Sequence, residues 1–589
     1  MTISSLLESK LRSATAGFGP VEAKVQAAND ARFGDYQTNI AMVLANQQKA
    51  SGQKPNPRQV AQQIIDQLDV ADMCAPLEIA GAGFINFRLK PEWLARHFTG
   101  FLGDARLGVP QPEHARTLVI DFSSPNVAKP MHVGHIRSTF LGDALSRIAE
   151  FVGHKVIRDN HIGDWGTQFG MILLGWKTEL NKEALAADAL LEMERIYKLI
   201  SARCKVDPAT HQAAQQELVK LQSGDEENLR LWHEMIRLSQ AQFDAVYARL
   251  GVRFDVTLGE SFYNPQLKDV VAQLRDRGIA RESEGAWCVF SDKTAKPEND
   301  PFLIKDKDGW RDNPAMVQKS DGASNYTTTD LATLEYRLRT WSPTEIVYVT
   351  DGRQQLHFRQ LFAIFGRWHS ELAATVRLAH VWFGAVLGDD GKPFKTRSGD
   401  TVKLVDLLDE AEERAYALVT EKNPEAPEAD RREIARVVGL GAVKYADLLP
   451  NRQSDYVFSW DKMLSFQGNT APYLQNAYVR IRAIFRKAGE AFEVGDASVQ
   501  LTEPAELGLA KKLLQFGEAL PLVLEDYRPN LLANYLFELA TIYHGFYESC
   551  PVLKSEGATR TSRLALCDAT ARVLKQGLGL LGIEAPERM

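Results

Sequence analysis

Cysteine is scarce in this chain: 589 residues carry five, at 74, 204, 288, 550 and 567. None stands in a Cys-x-x-Cys pair, which argues against a structural zinc site. Thiols scattered singly through a long chain suit a reducing compartment, so a cytoplasmic location is expected. Long apolar runs are missing too. No stretch reaches the ~18 residues that a membrane helix needs. The opening MTISSLLESKLRSA has no apolar segment ahead of a cleavage site, so no signal peptide and no membrane partner are expected. Nor is there an excess of positive charge. The 69 Lys and Arg against 76 Asp and Glu leave a net charge of −7. A nucleic-acid partner would therefore have to meet a local basic face rather than a basic protein. No internal repeat is present.

A soluble, multidomain globular chain fits these limits. Hydrophobic residues make up 45% and charged residues 25%, an ordinary globular balance, and the length suggests about four domains. Residues 1–108 read as a small α/β unit. Leu6, Leu7 and Leu11 have helical spacing, as do Val60, Ile64, Ile65 and Leu68, and Gly81 to Phe87 read as a turn and a strand. LGVPQPEHA is a linker. A new unit, 115–400, opens with the apolar run LVIDF. Leu141, Leu145, Ile148 and Val152 then mark a helix, and KVIRDN marks a second strand. EIVYVTD (345–351) and LAHVWFG (378–384) resume the pattern. Strand, helix and strand in this order open a parallel sheet, so the expected class is α/β with a Rossmann-like catalytic domain. The helix-rich stretch 171–325, with a strand around Trp287, Val289 and Phe290, reads as an insertion. Residues 401–455 read as a helical connector and 456–589 as an all-helical domain.

The most informative segment is SSPNVAKPMHVGHIRSTFLGD (123–143). His132 and His135 are three apart where a loop enters a helix, so they can share a face. Gly134 between them has no Cβ and would let a flat ring approach the backbone. Imidazoles beside a helix N-terminus make a seat for phosphate. A lone His-x-x-His is more often accidental or half of a metal pair. Here no His-Glu-x-x-His and no nearby cysteine pair supplies further ligands. Open parallel sheets bind ligands at the carboxyl ends of their strands, which is where this segment falls.

This stretch resembles the His-Ile-Gly-His motif of class I aminoacyl-tRNA synthetases, with Val133 in the Ile position. The longer string, Ser-Pro-Asn-x-x-Lys-Pro-x-His-x-Gly-His followed by Arg-Ser-Thr, is similar to the arginyl branch. The resemblance covers nearly the whole chain and is least specific at 171–325. It implies an ATP-dependent ligase that joins L-arginine to tRNA(Arg) through an arginyl-adenylate. Mg²⁺ would enter with ATP, held mostly by phosphates and water.

By that resemblance, Pro125, Asn126, His132, Gly134 and His135 bind ATP, and Ser124 and Asn126 meet the substrate's α-amino and carboxylate groups. GDDGKPFKTRSGD (388–400) matches the mobile Lys-Met-Ser-Lys-Ser loop in degenerate form, with Lys392 and Lys395 on the lysine positions. Lys129 is expected to compensate for that degeneracy. A guanidinium is planar and permanently charged, so a selective pocket needs a carboxylate and flat acceptors at its fork. Tyr326 and Asp330 in NYTTTDLATLEYR, and Gln354 in DGRQQLHF, match the family's pocket. From spacing alone Asp330 could be a helix cap and Tyr326 a core ring. Asp164, Trp165 and Gln168 resemble family positions without an assigned role. Polar recognition of so distinctive a group needs no hydrolytic editing.

FGDYQTNIA (33–41) resembles a motif of the family's N-terminal domain, which places Tyr36 and Gln37 against tRNA. SFQGNTAPYLQNAYVRIRAIFRKAG (465–489) resembles its helical anticodon-binding domain. There Arg480, Arg482, Arg486 and Lys487 would meet phosphates, and Tyr473 and Tyr478 would stack on unpaired bases. A monomer is expected, from the resemblance alone. Three rivals are weighed on the sequence: a class I enzyme for another amino acid, which Asp330 and Gln354 argue against; a small-molecule nucleotidylyltransferase with the same histidine motif, which is much shorter and lacks such a helical domain; and a non-catalytic RNA-binding relative, which both histidines and the lysines argue against.

Overall fold

A computed structural model of the chain describes residues 2–28, 30–50, 55–388, 390–392, 394, 402–489 and 499–589. The chain forms two compact units, one built from 113–464 and the other from 1–112 together with 465–589.

The unit 113–464 is organised by a five-stranded sheet. Its strands are β1 (Thr117–Asp121), β2 (Lys155–Ile162), β3 (Val256–Gly259), β4 (Glu345–Tyr348) and β5 (Arg377–His380). They lie in the order β5-β4-β1-β2-β3 and every pairing is parallel. Both faces are covered, so β1 and β4 are almost continuously apolar and buried, as all-parallel sheets require. Val119 and Ile346 pack against Leu331, Phe365 and Trp368 in one core. Helix α1 (Val133–Val152) connects β1 to β2 and ends on Gly153, whose φ of +115° gives a left-handed stop. Helix α2 (Glu226–Leu250) leads back to β3, and helix α3 (Tyr326–Trp341) leads into β4.

Two expectations need correction. The stretch 171–325 is not wholly an insertion, because β3 lies inside it and completes the sheet. Around it stand the helices Ala189–Cys204 and Pro208–Gln222, the three-stranded sheet 280–283, 286–289 and 315–318, and the hairpin Leu303–Asp306/Gly309–Asp312. The helical domain also does not begin at 456. Tyr456 and Val457 pair in parallel with Val386 and Leu387, a backbone tie that keeps this segment with the sheet unit.

The second unit joins a four-stranded antiparallel sheet (26–27, 36–38, 84–87, 78–80) and its helices to five helices between Ala471 and Leu580. Lys511 pairs with Asp35 at 2.6 Å, and Arg572 donates to the Leu102 carbonyl at 2.9 Å. Tyr36 is 1% exposed and its hydroxyl lies 3.2 Å from both oxygens of Glu518. That ring is an internal strut and cannot reach RNA. Gln37 beside it is half-buried in the same strand. Tyr478, expected to stack on a base, is 2% exposed and donates to Glu587 at 2.6 Å. Tyr473 is half-buried, 2.8 Å from His544 Nδ1, and Arg480 is exposed.

Candidate active site

Strand order reverses between β1 and β4, since β2 and β3 lie to one side of β1 and β5 lies beyond β4. Loops leaving the carboxyl ends of two such strands turn to opposite faces and open a crevice. The residues singled out in the sequence gather along that edge. Ser124, Asn126, His132 and His135 follow β1, Asp164 follows β2, and Gln354 follows β4.

His132 is the N-cap of α1 and His135 is its third residue, and they form a reciprocal capping box from two imidazoles. The Gly134 N–H donates to His132 Nδ1 at 3.0 Å, and the His132 N–H donates to His135 Nδ1 at 3.1 Å. The rings sit 4.1 Å apart. A Cβ on Gly134 would fall 2.8 Å from His132 Cε1, so the flat ring that approaches this glycine is the histidine's own. Because both Nδ1 atoms accept, both rings are held as the Nε2–H tautomer. Burial lowers the His132 pKa, helped by the charges of Lys129 and Arg353. Burial takes His135 down to about 3. Both imidazoles are therefore neutral near pH 7 and can meet a phosphate as N–H donors at the positive end of α1 rather than as cations.

Beside this pair lies a cleft of about 550 Å³ lined by His132, Gly134, Arg353, Phe383, Gly384 and Phe394. Phe394 stacks on Phe458 at 4.7 Å and its N–H donates to the Val386 carbonyl, which puts one residue of the 388–400 segment on the same cleft as His132. Lys392 is exposed in the turn that begins at Gly388. Lys395 lies outside the described residues. Lys129 rests 5.3 Å from the Tyr197 ring centre.

The residues expected to meet the arginine side chain begin on α3. Its N-cap is Asn325, so Asp330 is no cap, and Tyr326 is 63% exposed, so it is no core ring. Asp330 Oδ2 lies 2.5 Å from His357 Nε2, and the His357 ring packs edge-on to Tyr326 at 4.8 Å. Gln354 is exposed in the short turn after β4. Glu260 directly follows β3. Burial, with the nearby charges of Asp330 and Asp164, pushes its pKa up to about 8. Glu260 was not anticipated; GESFYN has no pattern of its own, and its one signal is a Gly-Glu pair at a strand end. Asp164 is buried and accepts from Ser261 N at 2.8 Å and Ser261 Oγ at 2.6 Å, so it shapes the turn. Trp165 packs edge-on to Trp232, and Gln168 donates to the Trp165 carbonyl.

The loop after β1 is tied to α3 through charge. Fully buried Arg337 reaches Asp121 at 2.6 Å and Asp159 at 2.8 Å, and Ser124 Oγ donates to Asp121 at 2.9 Å. Asn126 forms a parallel bridge with Gly163, where a Cβ would meet Asn126 Oδ1 at 2.2 Å. Among the described residues no group of three or more His, Cys, Asp or Glu is arranged to hold a metal.

Comparison with known proteins agrees along the whole chain. Residues 97–460 match the family "tRNA synthetases class I (R), catalytic domain", 474–589 the "DALR anticodon binding domain", and 1–89 the "Arginyl tRNA synthetase N terminal domain". The chain is 47% identical to the arginine–tRNA ligase of Laribacter hongkongensis, with both chains covered in full. It is 48% identical to that of Cellvibrio japonicus, again with both covered in full. Among solved structures, the Thermus thermophilus arginyl-tRNA synthetase superposes with a TM-score of 0.84 at 27% identity, covering 100% of each chain. The Plasmodium falciparum enzyme gives 0.82 at 28%, covering 100% of this chain and 99% of that one. Histidine cap, acid pocket and matched domains agree: this chain belongs to the arginyl-tRNA synthetases, the class I enzymes for arginine.

Proposed function

We propose that the arginine–tRNA ligase activity of this chain runs through the strand-end crevice, with its parts divided as follows. The guanidinium of arginine lies between Asp330 and Glu260, with Tyr326 and Gln354 at its plane. Ser124 and Asn126 hold the α-amino and carboxylate end. MgATP enters as a substrate complex beside Pro125, Asn126, His132, Gly134 and His135.

The arginine carboxylate oxygen attacks the α-phosphorus, the bond to the pyrophosphate oxygen breaks, and arginyl-adenylate forms. Such chemistry needs positioning and charge stabilisation more than covalent help. The two Nε2–H groups and α1 meet the charge that shifts to pyrophosphate, and Lys129, Lys392 and Lys395 add cations. A terminal ribose hydroxyl of tRNA(Arg) then attacks the arginyl carbonyl and AMP leaves. On the helical unit, Tyr473 and Arg480 are accessible for tRNA. We further propose a monomer in the cytoplasm that needs no zinc; five unpaired cysteines support the reducing compartment.

The observation that carries this reading is the histidine cap at the strand-order reversal, together with the electrostatically linked carboxyls of Glu260, Asp330 and Asp164. Aminoacylation of total tRNA with each labelled amino acid tests it. Charging is expected with arginine alone. His135→Ala should lower kcat by about 10²–10³-fold. Asp330→Ala should raise KM for arginine by about 10²-fold or more, as expected for loss of a charged partner. Normal charging by both variants overturns the assignment.

A further inference from the structure

Between the end of β1 and the first histidine the backbone takes an unusual path. Ser123 (φ +72°), Ser124 (φ +46°) and Ala128 (φ +62°) all lie in the left-handed region, and none is glycine. A residue with a Cβ stays there only when its surroundings hold it. Three such residues within six positions mark a loop restrained from outside.

The restraints are visible. Each left-handed residue gives its N–H to a side chain from another element. Ser123 donates to Ser138 Oγ on α1 at 2.8 Å, and Ser124 donates to Asn160 Oδ1 on β2 at 3.1 Å. Ala128 donates to Ser239 Oγ on α2 at 3.0 Å. Ser239 is fully buried, and its hydroxyl donates to the Met235 carbonyl at 2.7 Å, which fixes the acceptor lone pairs toward the loop. About two turns further along α2, the Tyr247 hydroxyl lies 2.8 Å from Ser123 Oγ and accepts from Asn160 Nδ2 at 3.3 Å. Thr139 Oγ1 lies 2.9 Å from Ser123 Oγ and 2.7 Å from the His135 carbonyl. The network therefore runs from α2 through the loop to the second histidine.

We propose that α2 is a brace for the substrate loop, with Ser239 and Tyr247 as positioning residues of the ligase reaction. The proposal rests on the placing of Ser124, Asn126, Lys129 and His132 against substrates given above. Ser239 touches no substrate in that scheme; it acts through Ala128. Without its oxygen, Ala128 has a buried N–H with no acceptor and nothing to offset its left-handed strain. The chain from Lys129 to His132 then shifts.

The test uses that strain. Ser239→Ala is expected to lower kcat for arginyl-tRNA formation by about 10–100-fold, because displacements near 1 Å cost about that much in a preorganised site. Glycine adopts a left-handed φ freely. The double variant Ser239→Ala/Ala128→Gly should therefore recover at least about fivefold of the lost kcat, while Ala128→Gly alone stays within about twofold of wild type. Tyr247→Phe keeps the ring but removes the partner of Ser123 Oγ, and should lower kcat about tenfold. Activities are taken per folded enzyme, with Tm measured alongside. If Ser239→Ala does not fold, Tyr247→Phe decides: a kcat about tenfold down at unchanged Tm supports the brace, and a wild-type kcat overturns it. A packing role alone would lower Tm, leave kcat intact and gain nothing from glycine. That result, or wild-type kcat in both single variants, overturns the brace. His135→Ala and Ser124→Ala run beside them as controls. If both charge normally, the substrate placement itself fails; if both are crippled while the brace variants are normal, the brace alone fails.

Discussion

Raising the pH from 7 to 8.5 should tighten arginine binding about eightfold, and the cause is Glu260. Its carboxyl is pushed up to about 8 by burial and by the neighbouring charges of Asp330 and Asp164. A guanidinium placed between Glu260 and Asp330 favours the ionised form, so binding lowers that pKa and expels the proton. Affinity must then rise with pH and level off above about 8, where the carboxyl is already ionised. With a pKa near 8, about ten in eleven sites carry the proton at pH 7 and about one in four at pH 8.5. The difference is about 1.2 kcal/mol in binding free energy. His132 and His135 add little to this slope, since His135 sits at about 3 and burial lowers His132. Calorimetric titration at pH 7 in buffers of different ionisation enthalpy should detect about 0.9 proton released per arginine bound. Glu260→Gln should release none and bind arginine equally at pH 7 and 8.5. A flat affinity in the wild-type protein, or an unchanged slope in Glu260→Gln, refutes the argument.

Four further outcomes are expected. Arg337→Met leaves Asp121 and Asp159 buried without their shared cation, so urea unfolding should report a loss of about 3–5 kcal/mol; a loss below about 1 kcal/mol would contradict the network. In tRNA-dependent pyrophosphate exchange, any inflection of wild-type kcat from His132 or His135 should lie below pH 6.5, because burial lowers both. On the helical unit, Arg480→Ala should raise KM for tRNA and weaken its salt dependence. Tyr478→Phe should leave tRNA binding within about twofold while costing about 1 kcal/mol of stability; the reverse pattern would restore Tyr478 as a contact.

The sheet was legible where strands are doubly buried, since LVID and EIVY are apolar runs with clear ends. Strand β3 was not. It stands at the sheet's edge, spans four residues and is half exposed, so VTLG has no apolar run to read. Glu260 was hidden with it. The two tyrosines misread as RNA contacts fail for another reason. Tyr36 and Tyr478 are buried against Glu518 and Glu587, partners so distant in sequence that no local pattern announces them. Arg337 sits in TLEYRLRTW, which reads as a charged helix face; only the strand-end carboxylates reveal why it is inside. The histidine pair was legible as two rings where a loop enters a helix, but its protonation was not, because the low pKa of His135 comes from burial.

The pairing order also sets a timetable for synthesis. One edge of β1 is covered by β2 soon after it emerges, but the other waits for β4, more than two hundred residues later. At about 5–20 residues per second, that edge stays open for roughly ten to forty seconds on the ribosome. The unit built from 1–112 and 465–589 waits longer still, because its first half must persist until the last helices arrive. Nascent chains of this protein should therefore depend on helpers that shield unpaired strands, and slow growth of the chain near residue 345 would prolong that dependence.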